Sequence, residues 1–251
     1  MISLSAVIAA LYIVSSIIND EFVFPSPTII FGEFLSLFGK TYFYTELWGD
    51  IVRTVISFAI SFLFSAVFAV LAGVNETFER AFYPITVIFR SIPTMSVILW
   101  CLIALKADKS PSAVSFIVTF PMLYSAIFGA VKNRDKKLDE MAKVFGVKRS
   151  DRIFKMIIPD VWKRLFPQFC AILSFNVKLI VAGEALAYTG NSLGRELKIA
   201  NANFETAKLL ALSVAIILLA VFLELTVKGV AAVIRRIKDG RDRKRIIQAL
   251  R

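Results

Sequence analysis

The sequence contains no histidine and only two cysteines, Cys101 and Cys170. Without an imidazole, the commonest general bases and every histidine-containing zinc site are excluded. The two cysteines lie inside apolar runs with no CxxC spacing, so they read as small buried hydrophobes rather than a redox or metal pair. Also missing is a G-x-x-x-x-G-K-[ST] phosphate loop. The nearest match, "GNSLGRE" from Gly190 to Glu196, has Arg195 where the lysine would stand and no Ser or Thr after it. That segment reads as a loop with glycine-permitted turns, unable to cradle a nucleotide. No Pro/Gly-rich linker, low-complexity run or repeat interrupts the chain, so residues 1–251 read as one domain.

What the chain has instead is apolar length. Of 251 residues 57% are hydrophobic and the mean hydropathy is +0.71, against about 45–50% apolar residues in ordinary soluble domains. The apolar residues collect into blocks of about 17–25 residues, the length that crosses a hydrocarbon core about 30 Å thick. The expected fold is therefore an all-α, polytopic transmembrane bundle of about six spans. They run from Ile2 to Ile18, Ile51 to Val74, Pro84 to Leu105, Ser112 to Val131, Leu165 to Tyr188, and Ala207 to Ile234. The first lacks the basic n-region and the small-x-small site of a cleaved signal peptide, so it is read as a retained span.

Charge sets the orientation. Lys132 to Arg164 holds eleven basic and five acidic residues, Lys228 to the end nine and two, whereas Asn19 to Asp50 holds Lys40 against five acids. The positive-inside rule places the connection after the fourth span and the C-terminus in the cytoplasm, and the acidic segment outside. The net charge of +11 then needs no nucleic acid. The basic tail, about 235–251, is expected to meet anionic lipid headgroups.

The long fourth-to-fifth connection, about 133–164, exceeds the 2–8 residues or so of a simple helix link and is expected to carry structure. In "KKLDEMAKVF", Leu138, Met141, Val144 and Phe145 recur at helical spacing as one apolar stripe. Gly146 is the expected stop, since glycine takes the left-handed cap without a Cβ penalty. Ser150 reads as an N-cap with Asp151 in the first turn, opening a second short helix that runs to Pro159. An apolar face left uncovered on such a hairpin calls for a partner, or else the hairpin merely covers helix ends.

Glu140, Met141, Ala142, Gly146, Met156, Ile158 and Pro159 reproduce a known spacing: Glu-Ala-Ala, three residues, Gly, nine residues, Ile, one residue, Leu-Pro. This pattern resembles the cytoplasmic loop of permease subunits of bacterial ABC importers, with Met141, Met156 and Ile158 as apolar replacements. "VFPSPTIIFGEF", "FRSIPTMSVILW" and "GEALAYTGNSLGREL" are similar to the nitrate/sulfonate/taurine-type branch of the binding-protein-dependent importers, over roughly Val23 to Ile237. The resemblance implies a type I importer permease fold in the bacterial inner membrane. Two permeases, in the simplest case a homodimer, would pair around a central path. Cytoplasmic ATPase subunits that bind ATP and Mg would drive it, and an extracellular solute-binding protein would feed it. No cofactor is expected in this chain itself. Glu140, Met141, Ala142, Gly146, Ser150, Ile158 and Pro159 would couple to the ATPase, with Glu140 as the polar contact, Gly146 as the pivot and Pro159 as the end of the docking element.

Ionisable residues within spans cost from about 2.5 kcal/mol upward in lipid and should face the protein or water. Arg90, near Ser91 and Pro93, and Lys178, near Asn176 and on the same helix as Glu184, are candidates to line a path with positive character for an anionic or strongly polar solute. The alternative is that Arg90 or Lys178 pairs with Glu184 to hold the bundle. Lys178 and Glu184, six residues apart, do not share a helical face. Glu224 and Lys228 form a favourable i,i+4 pair, and Pro93 and Pro121 are expected to kink their helices. Two other readings remain open: an ion-coupled secondary transporter or channel, for which no repeat is visible, and an intramembrane enzyme, for which no Ser/Lys or paired-acid constellation is present.

Overall fold

The computed structural model describes residues 9, 12–17, 20–133, 141–142, 144–148 and 151–249, with the side chains of Val74, Arg152, Phe154 and 235–249 left aside. The first expected span falls largely outside this set; within it, 12–17 are helical. The remaining elements are α1 (Pro27–Leu37), α2 (Thr41–Val74), α3 (Glu76–Ser91), α4 (Thr94–Ala104), α5 (Ser110–Lys132), α6 (Ile158–Ala187), α7 (Leu193–Ala202) and α8 (Thr206–Ala249). No strand occurs among the described residues. The fold is the expected all-α membrane bundle. Four helices are long and apolar enough to span: Thr41–Gly73, Ser110–Lys132, Lys155–Ala187 and Thr206–Ile234.

Three boundaries differ from hydropathy. First, α2 begins at Thr41, ten residues before Ile51, so Glu46 and Asp50 lie on the helix and not in a loop. Second, the third expected span is two helices, α3 and α4, bent by 91° at Ile92–Pro93. Ile92 is extended (φ −69°, ψ 126°), as sterics demand of a residue before proline. Third, the second hairpin helix does not end at Pro159. Arg152–Ile157 winds as a π-helix and runs directly into α6, with Pro159 in its first turn. A proline there has no N–H to donate to the preceding turn, and the wider winding accommodates the missing bond. Pro121, by contrast, sits inside α5, which continues unbroken to Lys132.

The core is a parallel pairing of α2 with α5, fixed by small hydroxyl residues. The Ser57 and Ser115 hydroxyls lie 2.9 Å apart, the Ser61 and Thr119 hydroxyls 2.9 Å apart, and Ser65 Oγ donates to the Phe120 carbonyl at 2.8 Å. Small side chains let the backbones approach, and the cross-helix hydrogen bonds hold the register. Asn176 of α6 closes the network: its Nδ2 donates to the Thr54 carbonyl at 3.1 Å, and its Oδ1 accepts from Ser115. Phenylalanines fill the flanks. Phe58, Phe62, Phe169 and Trp162 pack edge-on or tilted, and Phe68, Phe78, Phe82, Phe120 and Tyr124 form a second ring cluster.

The last turns of α2 and α5 meet at Gly73, where an added Cβ would sit 2.6 Å from Val131 Cγ1. Gly73→Ala is expected to cost about 1–3 kcal/mol by overpacking. The Val131→Ala change should recover most of that loss, a coupling that a double-mutant cycle on the unfolding of the detergent-solubilised protein would measure.

Candidate functional site

The hairpin is described in part. Glu140 and Ser150 lie outside the described residues. Met141, Ala142 and Val144 are helical, and Gly146 adopts φ +63°. Val147 N donates to the Ala142 carbonyl at 3.0 Å, five residues back, which closes a Schellman cap around that glycine. The cap aims an apolar knob outward. Val144 is 83% exposed, Phe145 77% and Met141 54%, while Ala142 beneath them is 2% exposed. Ile158 is also exposed and Pro159 half-buried, both on the helical lead into α6.

The six residues expected to line a path are not brought together. Asn176 and Glu184 are fully buried and engaged inside the bundle, so neither meets a solute without the helices parting. Arg90, Ser91 and Pro93 are exposed at the α3–α4 elbow, where Ser91 Oγ donates to the Val87 carbonyl at 2.9 Å. Lys178 is exposed on a face of α6 about 120° around the helix from Glu184.

As the six-residue spacing requires, Lys178 does not meet Glu184, and the alternative pairing of Arg90 with Glu184 is not formed either. Arg53 of α2 meets it instead, with Nε donating to Glu184 Oε1 at 2.6 Å. The same guanidinium donates to Asp50 Oδ1 at 3.0 Å and to the Asn191 carbonyl at 2.7 Å. One cation thus ties two buried carboxylates and a turn of the α6–α7 connection. Glu184 also lies against the backbone of Gly194, at the start of α7. A carboxylate at a helix N-terminus meets free amides and the positive end of the helix dipole. Gly194 permits the approach, since a Cβ there would lie 2.5 Å from the Val181 carbonyl oxygen and 2.6 Å from Glu184 Cβ. From Leu193 onward the "GNSLGRE" segment is helix rather than loop, capped by Ser192 Oγ accepting from Arg195 N at 3.1 Å.

A second ion cluster continues the first. Arg195 pairs with Glu46 at 3.2 Å, and Lys208 of α8 pairs with Glu196 at 3.1 Å and Glu205 at 3.6 Å. At the hairpin end, Glu224 and Lys228 form the expected pair at 2.5 Å, and Ser174 Oγ donates to Glu224 at 2.6 Å. Arg53, Asp50 and Glu46 were missed as site residues because they stand at the edge of an apolar run. Their spacing of three and four was the available signal, since it puts all three charges on one helical face.

The exposed faces of the long helices differ in kind. On α2 they carry Ile56, Ile60, Leu63, Phe64 and Val67, and on α8 Ile217, Leu218, Val221, Phe222 and Leu225. On α6 the exposed positions beyond the first two turns are Pro167, Gln168, Ala171, Lys178 and Ala182. The first two surfaces match hydrocarbon. The third is narrow and made of small residues, with Gln168 and Lys178 as its polar members.

Among known proteins, the model of the family described as "Binding-protein-dependent transport system inner membrane component" matches residues 65–237. The formylaminopyrimidine transport permease protein ThiX of Halalkalibacterium halodurans is 24% identical over 173 residues, 67% of this chain and 66% of that protein, just short of two thirds of its length. Two crystal forms of the MetNI methionine ABC transporter, in inward-facing conformations, share the fold. One has a TM-score of 0.59 at 19% identity over 72% of this chain and 92% of that one. The other has a TM-score of 0.60 at 18% identity over 74% and 94%.

Proposed function

The chain belongs to the family of binding-protein-dependent transport system inner membrane components, and from that membership we propose that it is the permease subunit of an ATP-driven importer in a bacterial inner membrane. The observation that carries the reading is the exposed apolar knob of Met141, Val144 and Phe145, held by the Gly146 cap on an otherwise charged hairpin. Water-exposed phenylalanine and valine at the end of a membrane bundle fit a groove on another protein.

In this reading the whole chain is one permease domain. The hairpin of about 133–164 faces the cytoplasm and docks on an ATPase subunit that holds ATP and Mg, and Glu140 supplies a polar contact. The basic C-terminal segment, about 235–251, lies among anionic headgroups. The ion clusters of Arg53 and Arg195 face outward, where a solute-binding protein delivers cargo. Two copies pair, and the polar stripe of α6 forms part of the wall between them, with the Arg90–Pro93 elbow near its course. The cargo is a small polar solute, of the sulfonate, nitrate or taurine kind or a heterocycle of the formylaminopyrimidine kind.

Affinity capture of the tagged, full-length chain from native membranes tests the docking. An ABC ATPase subunit is expected to elute with it. Val144→Asp combined with Phe145→Asp should reduce that capture more than tenfold, since burying each apolar side chain contributes about 1.5–3 kcal/mol, while the amount of chain in the membrane stays unchanged. Equal capture by the double variant would show that the knob does not dock.

A further inference from the structure

Lys178 is the one cation on the exposed stripe of α6 beyond its first two turns, and it makes no ion pair or side-chain hydrogen bond among the described residues. Its place on the helix is deep. At 1.5 Å per residue it stands about 30 Å from Ile158 and about 14 Å from Ala187, too far from either end for its four-carbon stem to carry the ammonium out to an interface. A lysine so placed is costly against lipid, and its neighbours on the stripe are not those of a lipid face. Its backbone is also anchored from behind. Two residues earlier Asn176 donates to the Thr54 carbonyl of α2 at 3.1 Å, and six residues later Glu184 accepts from Arg53 at 2.6 Å. The buried side of α6 is thus locked to α2 and α5, and the outward side presents an unpaired positive charge, with Ala182 one turn on and half-buried Ser174 and Phe175 one turn back.

We propose that Lys178 is a charge filter in the permease itself: it draws solutes bearing a carboxylate, sulfonate or phosphate group along α6 and repels cations. The inference rests on the reading that this stripe borders the solute path. It adds that the cargo is an anion and that the permease, not only the protein delivering the cargo, selects for that charge. Small residues at Ala171 and Ala182, one to two turns from the ammonium, leave space for an oxyanion to approach it.

Thiol-reagent access tests this without knowledge of the cargo. In the full-length chain within its complex, Cys101 and Cys170 are replaced by alanine and Ala182→Cys serves as reporter, with Ala171→Cys as a second reporter should the first fail to assemble. The probes are the anionic 2-sulfonatoethyl and the cationic 2-(trimethylammonium)ethyl methanethiosulfonates, each rate divided by its rate with a free thiol. A unit charge about 6–10 Å away, even screened as in water, favours one probe and disfavours the other, which together shift the rate ratio about four- to tenfold. With Lys178 present the anionic probe is expected to win. Lys178→Gln should lower the ratio about four- to tenfold and Lys178→Arg should keep it. Equal ratios with and without the lysine would overturn the filter while leaving a water-lined stripe intact. No reaction of either reporter from either side of the membrane would overturn the filter and the stripe together. Neither result bears on ATPase capture, which tests the importer reading separately.

Discussion

Gly146→Val is expected to lower ATP-coupled transport by up to about 30-fold, with the amount of chain in the membrane unchanged. The reason is confined to the backbone. Gly146 sits at φ +63°, and a Cβ built there meets nothing within 4 Å. The substitution therefore creates no clash and removes no contact; it only asks an L residue to hold a left-handed conformation, at about 1–2 kcal/mol, a factor of about 5–30 in the ratio of the native turn to its alternatives. A β-branched side chain fits that region worst and asparagine tolerates it best among non-glycine residues. Transport by the reconstituted complex should thus fall in the order glycine, asparagine, alanine, valine. Indifference to this series would mean that the angle of the hairpin does not transmit work.

The second large effect concerns stability. Arg53→Ala is expected to destabilise the bundle by about 3–5 kcal/mol, because removing one partner of a buried ion cluster leaves the rest uncompensated. Asp50 and Glu184 are both fully buried, and Arg53 is the cation within ion-pair distance of each among the described residues. On the scale of globular proteins of this size, at about 2–4 °C per kcal/mol, the Tm should fall by about 6–20 °C. Neutralising the carboxylates as well, with Asp50→Asn and Glu184→Gln added to Arg53→Met, should recover part of that loss, since the penalty comes from unpaired charge. Lys178→Gln and Arg90→Gln should leave Tm unchanged, because neither side chain pairs with Glu184. A Tm shift for Lys178→Gln as large as for Arg53→Ala would contradict the assignment of Arg53 as the clamp.

These two sites differ in how far the sequence exposed them. The glycine turn was legible because its signal is local: an apolar stripe at helical spacing stopped by the one residue without a Cβ. The separation of Lys178 from Glu184 followed from 100° per residue, and the Glu224–Lys228 pair from its spacing of four. Arg53 was not legible, because its partner lies 131 residues away and hydropathy treats a charge at the edge of an apolar run as a boundary. The same blindness moved the start of α2. Hydropathy reports the lipid-matched window, whereas the helix continues over Thr41–Asp50 on polar contacts with α7. The 91° elbow at Ile92–Pro93 was hidden for another reason: averaging over a window sums the apolar residues of α3 and α4 without regard to direction. Pro159 looked like a terminator, yet the π-turn before it accommodates the hydrogen bond that its missing N–H cannot make.

The dependence of transport on a separate ATPase is the centre of the account. The direct measurement is uptake into proteoliposomes of the solute captured by the co-purified binding protein, with and without the ATPase subunit. ATP-dependent uptake is expected from the full complex and none from this chain alone. Uptake by the chain alone at the rate of the complex, driven by an ion gradient, would contradict that dependence.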